Sequence, residues 1–207
     1  MTRDDLSINY WRYYRMLEEK VIQTANFAEI HPGNFKTFSN EYALLLQSIG
    51  AELDNFFKVY CCFNVDSTKN ITEYAASILT SYSDIKDQKI KVIETDIELQ
   101  PFENWDVAQP KKSLSWWIAF DNIKHNRSGS FSDANQENVL NILAALYLLE
   151  MKMFKLVAVE KDGHLDEPDS PGDKSRIFSL VDWELRYIPV GEYFVVIDGS
   201  FCQIVDE

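Results

Sequence analysis

The stretch Phe38-Ser39-Asn40-Glu41-Tyr42-Ala43-Leu44-Leu45-Leu46-Gln47-Ser48-Ile49-Gly50-Ala51-Glu52-Leu53-Asp54-Asn55-Phe56-Phe57-Lys58-Val59-Tyr60-Cys61-Cys62 decides the fold. Its apolar residues Phe38, Tyr42, Leu45, Leu46, Ile49, Leu53, Phe56, Phe57 and Tyr60 advance in steps of 4, 3, 1, 3, 4, 3, 1 and 3. A helix repeats every ~3.6 residues, so these side chains share one face, and the segment is a core-facing helix. Glu52 interrupts that face, seven residues from both Leu45 and Val59. A carboxylate there is costly unless it reaches water or finds a partner. Ser48, one turn earlier, sits beside it on the helix surface.

The same period continues on both sides. Tyr10, Tyr13, Tyr14, Leu17, Val21, Ala25 and Ala28 predict a first helix over about 6–30, stopped by His31-Pro32-Gly33-Asn34. A shorter helix is expected over 71–82, started by Asn70 or Thr72. Residues 88–110 read as an extended segment and a loop. Ser113 or Ser115 then caps a helix carrying Trp116 and Trp117, which read as core packing. After Ser128-Gly129-Ser130, Ser132 or Asp133 starts another helix that runs to about Val157. Val139, Leu140, Ile142, Leu143, Leu146, Tyr147, Leu149, Met153 and Phe154 make it apolar around most of its circumference, as a central helix is.

Composition changes at Glu160. Residues 160–173 carry six acids against Lys161 alone and read as an acidic linker. A strand or short helix is expected within 177–187. Glu192 to Ile197 and Ser200 to Val205 flank Asp198-Gly199, a two-residue hairpin signal. The expected organisation is a bundle over 1–159, the linker over 160–173 and a small β appendage over 174–207.

Hydrophobic residues make up 46% of the chain, which excludes a disordered polymer. Only seven glycines and six prolines occur, which favours helices over a turn-rich β fold. The longest apolar run, Ile142 to Leu149, is far short of the ~18 residues that span a bilayer. The first residues carry no secretory signal. The chain therefore reads as soluble, cytoplasmic and without a membrane role. A net charge of −13 argues against nonspecific nucleic-acid binding, which needs clustered cations. Cys61, Cys62 and Cys202 fit no disulfide framework or zinc spacing and read as reduced core thiols. No metal and no cofactor are expected.

Chemistry concentrates at Lys124, His125 and Arg127, at the end of the double-Trp helix. His125 has an intrinsic pKa suited to a general base, and Arg127 can hold a phosphate through two parallel hydrogen bonds. Together they suit metal-independent RNA cleavage. Asp121 precedes His125 by four residues, so a helix-surface pair explains the same histidine without function. The two cations near a helix C-terminus are also favoured by its dipole.

Two long N-terminal helices, then Trp116-Trp117-x-Ala119-Phe120-Asp121-Asn122-x-Lys124-His125-x-Arg127, then Asn138-Val139-Leu140-Asn141 opening an apolar helix, resemble a HEPN-type protein. The resemblance covers roughly residues 6–157. It implies an antiparallel helical bundle, often dimeric, of a kind found in bacterial toxin–antitoxin, phage-defence and RNA-processing systems. Nuclease members carry an Arg several residues before the His. Here the His maps to His125 and a polar residue of the second helix to Glu52. No Arg lies between Arg15 and Arg127, and the expected window holds Ile118, Ala119 and Phe120. That departure implies a noncatalytic member.

The expectation is thus a mainly α, HEPN-like bundle with a C-terminal β-hairpin appendage. It acts as a noncatalytic binding or assembly module, as a homodimer or with a protein partner. RNA or a nucleotide would sit at Lys124–Arg127, with Asn122, Glu52 and Ser48 as further binding residues. The alternative is a metal-independent ribonuclease with His125 as base and Arg127 as phosphate stabiliser. A third class is a small-molecule or nucleotide sensor.

Overall fold

The computed structural model describes residues 1–64, 66–158, 160–161, 164–165 and 168–183, and the strand residues 189–190, 192–197 and 200–203. It is mainly helical. Helices α1 (Arg3–Leu6) and α2 (Arg12–Thr24) are joined by a π-helical turn over Ser7–Trp11, without leaving helical backbone. The N-terminus is closed by a capping box: Thr2 Oγ1 accepts the Asp5 N–H at 3.1 Å, and the Asp5 carboxylate accepts the Thr2 N–H at 3.0 Å.

The first helix ends at Thr24 rather than near Ile30. Phe27 is 92% exposed, so burial gives no reason to continue it. Gln136 Nε2 also donates to the Ala28 and Glu29 carbonyls, both at 3.0 Å, and holds the chain in a turn.

Helix α3 (Asn40–Tyr60) starts at Ser39, whose Oγ accepts the Tyr42 N–H at 3.0 Å. Its stripe is buried as the spacing predicts, from Tyr42 to Tyr60. Only Phe38, ahead of the cap, stays half-exposed, forming a single bridge to Asn135. Helix α4 (Ile71–Ser81) is started by Asn70 and Glu73 as a second capping box.

Helix α5 (Ser115–Asn126) has no side-chain cap, because Ser113 Oγ instead accepts the Asp106 N–H. Helix α6 (Gln136–Val157) starts at Asn135, two or three residues later than expected. There residues 35–39 take its first donors: Gln136 N–H bonds to Thr37 O at 3.0 Å and Glu137 N–H to Phe35 O at 3.1 Å.

Helix α6 is the central element, buried through most of its length against α3, α5 and α2. Gly50 lets α3 approach α5 closely: an added Cβ would overlap the Phe120 ring. The loop after residue 100 contributes to the core, with Phe102 and Trp105 fully buried.

Two short strands lie in the 88–110 region, β1 (Ile90–Val92) and β2 (Glu98–Leu99). Next along the chain, β3 (Glu160–Lys161) and β4 (His164–Leu165) pair with each other. Strand β5 (Phe178–Leu180) joins β1 to give the antiparallel order β2-β1-β5, with Val92 opposite Phe178 and Ile90 opposite Leu180. The segment expected as β appendage thus supplies a strand to a sheet begun by residues 90–92.

The residues just before β5 are held to the first helix. Arg3 Nη2 donates to Ser170 O at 3.0 Å, and Trp11 Nε1 to Asp173 O at 2.9 Å. Part of the stretch expected as an acidic linker is therefore packed, and Asp169 is buried. Finally, β6 (Pro189–Val190), β7 (Glu192–Ile197) and β8 (Ser200–Gln203) form an antiparallel sheet with Ile197 opposite Ser200. The hairpin's Asp198 and Gly199, and Ile204 and Val205 of its expected second strand, lie outside the described residues.

Candidate functional site

The end of α5 stands in solvent. His125 Nε2 lies 3.5 Å from Asp121 Oδ1, with side chains 64% and 63% exposed. Lys124 places its ammonium 5.6 Å from the Phe120 ring centroid, a cation–π contact on its own helix. Arg127 is exposed at the helix end. Asn122 Nδ2 donates to Asp133 Oδ2 at 2.9 Å and ties α5 to the turn before α6. The i,i+4 pair, the ring contact and the cap position each have a local explanation. None of these four side chains lines the hollows beside Tyr42, Trp116, Tyr60 or Trp11.

Glu52 and Ser48 do not join them. Ser48 Oγ donates to Leu44 O at 2.9 Å, on its own helix. Among the described residues no ion pair links Glu52 to Lys124, His125 or Arg127. Glu52 is half-buried, and burial holds its carboxyl above the ordinary range. Its electrostatic neighbour is Glu150 on α6, fully buried with neither carboxyl oxygen hydrogen-bonded. Burial, reinforced by Glu52, pushes Glu150 well above the usual carboxyl range. Tyr10, on the π-helical turn, completes the group. Its ring meets Phe56 edge-on at 5.2 Å, and burial with both carboxyls raises its phenol. The sequence signals Glu52 by its broken stripe. Glu150 carries a similar signal, one acid inside the apolar face of α6, which counting the apolar positions alone does not register.

A second group gathers where α3, α4 and α6 end. A hollow of about 340 Å³ is lined by Tyr60, Tyr82, Asp84, Gln88, Lys152, Lys155, Leu156, Asp182 and Trp183. Tyr60 is the last residue of α3, and its ring lies 5.4 Å from that of Tyr82. Lys152 Nζ pairs with Asp84 Oδ2 at 2.8 Å. Lys155 Nζ sits 3.8 Å from the Trp183 ring centroid. Asp182 holds a left-handed backbone with φ of 57°, and the Val181 N–H bond to Lys89 O at 3.0 Å anchors this turn.

Sequence reasoning places Tyr60 in the core and misses the rest. Two signals are available. A Tyr that ends a buried stripe needs a hydroxyl partner. Lys152 and Lys155, three apart on a nearly all-apolar helix, share one face.

The cysteines separate. Cys61 is half-buried, and burial pushes its thiol up to about 11, which makes it unreactive at pH 7. Cys62 is exposed, because its left-handed backbone, φ 54°, turns the chain out of the core after α3, so it is no core thiol. The side chain of Cys202 lies outside the described residues. Among the described residues no helix is long and apolar enough to cross a membrane. Compared with family models, curated proteins and solved structures, the chain matches none.

Proposed function

We propose that this chain is a noncatalytic binding and assembly module built on a HEPN-like bundle, working in a bacterial defence or RNA-related system. One observation carries the reading. His125 and Arg127, the pair on which RNA cleavage would depend, stand in solvent at the α5 end, where His125 lies 3.5 Å from the equally exposed Asp121. General-base catalysis needs the base within hydrogen-bond reach of a positioned substrate proton. An exposed Lys-His-x-Arg end suits recognition of an anionic surface instead. Exposed apolar side chains support assembly with a second copy of the chain: Phe27 is 92% and Leu44 60% exposed.

The test is incubation of the pure protein with labelled single-stranded and structured RNAs in EDTA, alongside His125→Ala and Arg127→Ala. The expected result is no cleavage by any of the three. Cleavage by the parent protein that both substitutions abolish would establish the ribonuclease reading in its place. Light scattering on the parent and on Phe27→Ser checks assembly, with a dimer expected for the parent and a weakened one for the variant.

A further inference from the structure

The hollow between Tyr60, Tyr82 and Trp183 has a feature that packing alone does not require. Tyr60 is 5% exposed, yet its hydroxyl has no hydrogen-bond partner. Trp183 Nε1 is also buried without one. Each such donor is costly if left unmet, and native proteins leave few. Both residues line the hollow, so a ligand seated there with acceptors within reach of these donors would satisfy them.

The walls give the ligand's shape and charge. Three aromatic side chains favour a flat ring. The lining charges cancel, Lys152 and Lys155 against Asp84 and Asp182. The C-terminal ends of α3, α4 and α6 border the hollow through Tyr60, Tyr82 and Leu156, and helix C-termini carry partial negative charge. A phosphate or carboxylate is disfavoured there. The volume of about 340 Å³ lies at the small end of small-molecule sites.

We propose that this hollow binds an uncharged planar heterocycle with ring acceptors, the chemistry of a free purine or pyrimidine base or its nucleoside. Tyr60 O–H and Trp183 N–H donate to the ring acceptors, while Gln88 serves either polarity. The site is separate from the α5 end and independent of what that end binds.

Calorimetric titration of the full chain with adenine, adenosine, uracil, AMP and indole tests this. At least one of adenine, adenosine or uracil is expected to bind, adenosine more tightly than AMP, with indole weakest because it offers no ring acceptor. Tyr60→Phe keeps the ring and removes only the hydroxyl, so it should weaken binding about tenfold. The variant should melt no lower than the parent, because the lost hydroxyl has no partner in the unliganded protein. Failure of all three uncharged bases to bind at about 5 mM, above the ~1 mM limit of weak specific binding, overturns the proposal. So does AMP binding more tightly than adenosine, indole binding as well as the bases, or unchanged affinity in Tyr60→Phe.

Discussion

Glu18 on α2 accepts the backbone N–H of Arg176 at 3.0 Å, although 158 positions separate them in the chain. The same carboxylate oxygen accepts from Tyr14 Oη at 3.1 Å, from Ile177 N–H at 3.3 Å and from the Ser175 hydroxyl. Its other oxygen pairs with Arg15 Nη1 at 2.6 Å, and the side chain is 1% exposed. One buried carboxylate thus fastens residues 175–177 to the first helix and sets β5 against β1.

Glu18→Ala should therefore lower stability by about 3 kcal/mol, because it strands several buried donors and a guanidinium at once. Amide exchange at Arg176 and Ile177 should accelerate more than exchange in the middle of α6. Equal acceleration in both places would mean that the residues before β5 are held by something else.

Glu150 makes the opposite case, a buried carboxyl with no hydrogen bond. Its folded pKa is raised above the ordinary 4.5. The stability tied to its proton is thus complete below the ordinary value and is lost as pH climbs toward the raised one. Glu150→Met should stabilise the protein at pH 8 by about 1–3 kcal/mol and have less effect at pH 4. Half-buried Glu52 faces the same region and contributes in the same direction, whereas the Tyr10 phenol, raised above an ordinary value of 10, lies outside this pH window, so the variant reduces the slope without abolishing it. Denaturant melts at the two pH values decide this, and a pH-independent difference would contradict it.

Gly50 faces Phe120 with no room for a methyl group. Gly50→Ala raises helix propensity yet should destabilise by about 1–3 kcal/mol, since overpacking outweighs the propensity gain. Phe120→Leu in the same chain should recover part of the loss. Additive losses in the double variant would show that the ring does not set the α3–α5 spacing.

His125→Ala should change stability by no more than about 0.5 kcal/mol, because its partner Asp121 is equally exposed and such helix-surface pairs are weak. A loss of several degrees in melting temperature would place the histidine in a tighter network than its 3.5 Å pair with Asp121.

The helices are legible in the sequence because their signal is local and periodic. The Tyr42–Tyr60 stripe, the apolar α6 and the Asn70 start each depend on residues within a turn or two. The start of α6 lies two to three residues beyond its local signal because backbone from residues 35–39 competes for its first donors. The first helix stops short of its pattern because a side chain from α6 captures the carbonyls at residues 28 and 29. Neither competitor is near in sequence.

The sequence by itself determined a mainly helical protein, the buried stripe of α3, the apolar α6 and the cationic residues that end α5, since propensity and periodicity act over a few residues. Only the tertiary structure decided that Glu52 faces another carboxyl rather than Lys124 or Arg127, and that Glu18 fastens residues 175–177. It also decided that Tyr60, Lys152 and Trp183 meet around one hollow. Those relations depend on which helix faces meet and at what distance. Long-range packing sets that geometry, and no local pattern encodes it.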